Sequence, residues 1–124
     1  MISIGSATRV YLAPGSTDMR KGFEGLSGLV REKLQGDPLS GHLFLFCNAQ
    51  RTRLKILFWD GSGLWVCAKR LERGRFSWPT VSQQEGVGQS CRIALRAEEL
   101  ALLLGGLEMD RVQRKNWWRT EVAL

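Results

Sequence analysis

Apolar residues run in short blocks or alternate with polar ones along most of the chain, and two segments carry helical spacing. Ala7 to Leu12 predicts a short strand that ends at the turn Ala13-Pro14-Gly15-Ser16. From Asp18 to about Leu34, Met19, Phe23, Leu26, Val30 and Leu34 recur at three- and four-residue steps, a stripe that predicts one long helix lying on a sheet. Thr17 or Asp18 is the expected N-cap, and Gly36-Asp37-Pro38 the stop. Gly22, Gly25 and Gly28 each cost about 1 kcal/mol relative to alanine inside a helix, so a close backbone approach to the sheet is expected in return.

HLFLFC, from His42 to Cys47, predicts a buried strand. Arg53 to Trp59 and Leu64 to Arg70 flank Asp60-Gly61-Ser62-Gly63 and predict a hairpin. With a three-residue loop and Gly63 left-handed, Trp59 stands opposite Trp65 and Lys55 opposite Lys69. Leu54, Ile56, Phe58, Val66 and Ala68 then face the core, while Arg53, Lys55, Trp59, Trp65 and Lys69 share the other face. A slip of one residue would divide that set between faces. Glu72-Arg73-Gly74 reads as a further turn, and Arg75 to Trp78 as a continuation of the meander until Pro79 removes a ladder donor.

Thr80 to Gln89 is polar with two glycines and reads as a mobile loop, followed by a strand over Ser90 to Leu95. A second helix is expected over Ala97 to Leu104, with Leu100, Leu103, Leu104 and Leu107 as its apolar face and Gly105-Gly106 as its end. Arg96 stands where Ser or Thr would cap that helix better. The expected fold class is α+β, an antiparallel β-meander packed by one long N-terminal helix, with a short C-terminal helix. One domain is expected over 1–107. A basic tail over 108–124 follows, and its adjacent Trp117 and Trp118 are candidates for docking on the domain or on a partner.

Hydrophobic residues make up 44% of the 124, enough for a modest core and too many for disorder. The apolar runs are too short to span a membrane, and MISIGSATRV lacks a signal-peptide layout, so a cytosolic location is expected. Cys47, Cys67 and Cys91 are odd in number and widely spaced, which fits small buried hydrophobes better than disulfides or a zinc knuckle.

Charge changes the picture most. The chain carries a formal +6, and the stretch Arg51 to Pro79 holds seven cations against Asp60 and Glu72, a local +5. Arg53, Lys55, Lys69, Arg70, Arg73 and Arg75, with Arg20 and Lys21 upstream, are candidate phosphate contacts. Trp59 and Trp65 are candidate platforms for unpaired bases. Two other readings stand beside this one: a protein–protein module, and a solvated basic face whose edge-strand cations block sheet-to-sheet aggregation.

Catalysis finds little support. His42 is the only histidine and lies at the mouth of an apolar strand. Asp18, Glu24, Asp37 and Asp60 are scattered singly among expected caps, turns and helix surface, and no metal or other cofactor is expected. Asp18 is explained by capping, Asp37 by the Asp-Pro turn and Asp60 by the hairpin.

Four stretches in order carry a family likeness: DMRKGFEGL at Asp18 to Leu26, DPLSGHLFLF at Asp37 to Phe46, LKILFWDGSGLWVCAKRLERGRFSWP at Leu54 to Pro79, and LLLGG at Leu102 to Gly106. Over roughly Val10 to Leu107 the chain resembles the insertion sequence 66 family accessory protein TnpB, the small second-frame product of those bacterial mobile elements. The resemblance implies a factor that assists transposition beside a separate, larger transposase that carries the cutting and joining chemistry, and together with the basic stretch it makes DNA at the element ends and that transposase the expected partners, with no catalytic residue in this chain. It places weight on Asp18 to Gly22, on Lys55, Trp59, Asp60 and Gly61, and on Lys69, Arg70, Leu71, Gly74, Phe76, Trp78 and Pro79. Of these, Met19, Phe76 and Trp78 read as core, and Gly22, Asp60, Gly61, Gly74 and Pro79 as backbone-shaping. The expected function is DNA contact through the basic hairpin. The alternative is an adaptor that binds the transposase, or a second copy of itself, without touching DNA.

Overall fold

A strand whose residues are all buried needs cover on both faces of its sheet, and Leu43–Cys47 is such a strand, with Leu-Phe-Leu-Phe-Cys buried throughout. The computed structural model describes residues 7–79, 91–105 and 119–122. Along the chain these form β1 (Val10–Leu12), α1 (Phe23–Glu32), β2 (Leu43–Cys47), β3 (Arg53–Trp59), β4 (Leu64–Arg70), β5 (Cys91–Leu95), α2 (Ala97–Leu104) and β6 (Arg119–Val122). The strands make one six-stranded sheet in the order β4-β3-β2-β1-β5-β6. β1 and β2 are parallel, and the other neighbouring pairs are antiparallel.

Alternation along the strands sends two sets of side chains to opposite faces. Tyr11, Phe44, Phe46 and Leu57 pack with Leu26 and Val30 of α1 and with Leu34. On the other face Leu12, Leu45, Leu54 and Ile56 pack with Leu100 and Leu103 of α2 and with Phe76 and Trp78. The sheet is thus a central layer with one short helix on each side.

The expected meander under one long N-terminal helix is corrected on both counts. β1 enters the sheet beside β2 through a crossover that contains α1, and such a strand–helix–strand connection makes the pair parallel. The helix itself has 10 residues. Its start is displaced from Asp18 because the Lys55 Nζ, reaching up from β3, donates to the carbonyls of Met19 at 2.7 Å and Lys21 at 2.9 Å. Carbonyls turned toward that ammonium cannot serve the next helical turn, so α1 begins at Phe23 with Gly22 as N-cap and no side-chain cap. Asp18 instead accepts the Arg20 backbone N–H at 2.9 Å, closing a local turn.

Residues 75–78 form no strand. The Phe76 N–H donates to Arg51 O at 2.7 Å, and the chain then dives under the α2 face, where the buried Trp78 donates its Nε1–H to Ala13 O at 2.9 Å. α2 starts after Arg96, whose backbone N–H donates to Glu99 Oε1 at 2.8 Å. Glu99 supplies the reach back that the arginine, having no side-chain acceptor, cannot return. Residues beyond 107 contribute β6, which pairs with β5 from Cys91↔Val122 to Ala94↔Arg119. The loop expected over Thr80 to Gln89 and the pair Trp117 and Trp118 lie outside the described residues.

Candidate nucleic-acid interface

The β3–β4 register decides which basic side chains can act together. The ladder pairs Trp59 with Leu64, Phe58 with Trp65, Lys55 with Ala68, Leu54 with Lys69 and Arg53 with Arg70. This is one residue away from the expected pairing, and the expected basic and aromatic face is corrected accordingly. Arg53, Lys55, Trp59 and Arg70 point to the α1 side, while Trp65 and Lys69 point to the α2 side. The loop geometry is the cause. Asp60 N–H donates to Gly63 O at 3.1 Å, leaving Gly61-Ser62 as a two-residue tip, and the left-handed backbone falls on Gly61 (φ 102°) rather than on Gly63.

The tip is held by one carboxylate. Asp60 accepts from the Trp65 Nε1–H at 2.6 Å, from the N–H groups of Ser62 and Gly63 at 2.8 and 2.9 Å, and from the Ser62 hydroxyl at 3.0 Å. Its pKa is driven far below the usual carboxylate range, first by the Trp65 indole and then by the turn's N–H groups. A depressed folded-state value means these bonds contribute fully above the unfolded carboxylate pKa of about 3.9 and are lost as pH falls through the folded value. The Trp65 indole N–H resonance is therefore expected to keep its folded position when the pH is lowered through the ordinary carboxylate range. In Asp60→Ala it should move toward the free indole position already at neutral pH.

Trp65 is half exposed (51%) and lies parallel to Phe58, with ring centroids 6.1 Å apart. Trp59 is half-buried on the opposite face. Both aromatics sit at the tip end of the hairpin, about 20 Å along the strands from Arg53 and Arg70. The single platform of stacked bases and neutralised phosphates expected from the sequence is thus separated by both face and distance.

Of the candidate cations, two lysines are committed to the fold. Lys55 ties the 19–21 segment to the sheet, and the Lys69 Nζ donates to Leu104 O at 2.7 Å, satisfying a carbonyl at the end of α2. Arg20 binds its own neighbour Asp18, with Nη2 to Oδ2 at 2.8 Å and Nε within 3.1 Å of both carboxylate oxygens. That guanidinium holds the Asp18 carboxyl at about 2. Lys21 is half-buried beside it.

The remaining arginines collect at the base of the hairpin. Leu71 N–H donates to Thr52 O at 2.9 Å and Phe76 N–H to Arg51 O, so residues 72–75 loop out between two anchor points on one short segment. Arg53, Arg70, Arg73 and Arg75 are all exposed there, and Gly74 makes the bend in a left-handed conformation (φ 76°). Arg70 meets Glu72 at 3.3 Å in an exposed pair. The guanidinium groups of Arg53, Arg73 and Arg75 make no hydrogen bond or ion pair among the described residues. Two adjoining clefts, of ≈ 420 and ≈ 670 Å³, share Met19 and Arg53 and open at this end. Arg51, in a left-handed conformation (φ 65°), donates to Gly15 O at 3.4 Å and serves the fold.

No group of three His, Cys, Asp or Glu side chains suited to a metal ion occurs among the described residues. Burial pushes the Cys47 thiol up to about 11, against the opposing pull of Arg51, so it remains protonated. His42 Nδ1 accepts the Arg9 backbone N–H at 3.0 Å, a structural role where β1 and β2 begin. No helix among the described residues is long and apolar enough to cross a membrane.

The profile of the family described as IS66 Orf2 like protein matches residues 8–114. The chain belongs to this IS66 Orf2-like family. The match contains all four motifs that suggested it, and the protein is a transposition-associated accessory factor of an insertion sequence. Two curated relatives come from Sinorhizobium fredii (strain NBRC 101917 / NGR234). "Uncharacterized protein y4hO" is 38% identical over 123 residues, covering 99% of this chain and 100% of its own. "Uncharacterized protein y4jC" is 36% identical over 115 residues, covering 93% and 92%. No solved structure matches the IS66 Orf2-like chain.

Proposed function

We propose that this accessory factor holds DNA during transposition without reacting with it, while the element's transposase cuts and joins. The contact surface is the arginine-lined base of the hairpin: Arg53, Arg70, Arg73 and Arg75, flanked by Arg20 and Lys21. The observation that carries the reading is that the exposed guanidinium groups of Arg53, Arg73 and Arg75 have no hydrogen-bond or ion-pair partner among the described residues, whereas Lys55 and Lys69 are bonded to backbone carbonyls. Exposed arginines gathered at one end of the hairpin, in a chain with net charge +6, offer phosphate contacts whose affinity comes from counterion release.

The competing adaptor reading is favoured by one feature. β4 ends the sheet among the described residues, and Leu64, Val66, Ala68 and Arg70 turn their backbone N–H and C=O groups away from β3. Such an edge can add a strand from a transposase or a second copy. Fluorescence anisotropy with labelled duplex, single-stranded and branched element ends separates the two. DNA contact requires that Arg70→Glu/Arg73→Glu/Arg75→Glu lose at least tenfold in affinity with an unchanged thermal melt. An adaptor leaves wild type and variant equally indifferent to DNA.

A further inference from the structure

Arg53 and Arg70 face one another across β3 and β4 on the same side of the sheet. The neighbouring pair Thr52 and Leu71 is joined by a backbone hydrogen bond, so alternation makes Arg53 and Arg70 a non-hydrogen-bonded pair, the kind in which opposing side chains come closest. Like charges directly opposite destabilise a sheet. Both arginines line the ≈ 420 Å³ cleft together with Lys55, whose ammonium spends two of its three N–H donors on Met19 and Lys21. Three cations therefore surround one hollow. The carboxylate bonded to this set among the described residues is Glu72, in a 3.3 Å pair with Arg70 that is exposed on both sides and easily displaced.

We infer that this cleft is a single-phosphate clamp, in which the Arg53 and Arg70 guanidinium groups grip the two sides of one phosphodiester of the nucleic-acid backbone and Lys55 supplies positive potential from the floor. Two planar donor forks on one tetrahedral oxyanion turn an unfavourable cross-strand pair into a favourable one. The clamp rests on the DNA reading above and gives it a defined anchor, placing a backbone phosphate at the end of the β3–β4 ladder.

Two measurements test it. With orthophosphate as probe, the wild-type melting temperature is expected to rise above its value in chloride at equal ionic strength. Arg53→Gln and Arg70→Gln should abolish that rise, and in chloride both variants should melt at or above wild type because the repulsion is relieved. On duplex DNA, each single variant should lower the slope of log K against log salt by about one, and the double variant by about one again relative to wild type rather than two. Independent contacts would instead give a fall of about two, which overturns the clamp and leaves DNA contact standing. Absence of any DNA affinity removes the DNA reading and, with it, the clamp on a nucleic-acid phosphodiester. Equal melting in phosphate and chloride overturns it.

Discussion

Replacing Trp78 with alanine is expected to destabilise the protein by about 3–5 kcal/mol in urea unfolding, the cost of emptying a large aromatic site in a packed core. Trp78 lies outside any strand, yet it is buried among Leu12, Leu45, Leu100 and Leu103, and its indole N–H satisfies Ala13 O. The next residue, Pro79, accepts the Gly15 N–H at 3.0 Å, so two bonds join 78–79 to 13–15. That joint secures the start of the segment that carries Ser16, Thr17 and Asp18 along the wall of the larger cleft. Trp78→Phe keeps most of the apolar volume and loses the indole bond, for about 1–3 kcal/mol. A Trp78→Ala protein as stable as wild type would contradict this packing.

Lys55→Met is expected to cost roughly 1.5–3 kcal/mol, because the aliphatic stem is retained while two carbonyls lose a charged donor. Read from sequence, Lys55 is a candidate phosphate contact on the face away from the core. In the fold it is the strut that bends residues 19–21 away from helical geometry, so Lys55→Glu should lower the melt and release the chain before α1. The same holds at smaller scale for Lys69, which caps α2 from an exposed strand. A melt unchanged in Lys55→Met would show that the strut carries no load, and would return Lys55 to the set of free cations.

Several parts of this arrangement were legible in the residues. The strand pattern placed β3, β4 and α2 with their observed bounds, because alternation and the leucine face are local signals. Phe76 and Trp78 read as core and are buried, although the segment holding them crosses under the sheet as irregular chain. Local signals failed where long-range contacts decide. The apolar stripe from Met19 to Leu34 predicts helix from Asp18 onward, but Lys55, 36 positions beyond Met19 and 34 beyond Lys21, captures the carbonyls that would extend it. The three residues of β1 carry no local sign of a parallel partner, so the sequence pattern alone predicts a meander.

The candidate site turned on one turn residue. Asp60-Gly61-Ser62-Gly63 offers two glycines for a left-handed position, and the choice of Gly61 shifts the register by one and sends Trp65 and Lys69 to the other face. A Gly-Ser pair at the tip is itself a hairpin signal, so that information was present in the chain. What the residues could not reveal is which cations the fold uses internally. Arg53, Arg73 and Arg75 look no different in sequence from Lys55 and Lys69, and only the carbonyls of Met19, Lys21 and Leu104 separate them.

The most direct measurement is the affinity of the intact wild-type protein for duplex element ends across a series of salt concentrations. DNA holding by the arginines at the hairpin base requires log K to fall linearly with log salt at a slope of about −0.9 for each phosphate contacted, and Arg70→Glu/Arg73→Glu/Arg75→Glu to flatten it. Affinity that is absent at low salt, or a slope that the triple reversal leaves unchanged, would contradict DNA holding at this surface.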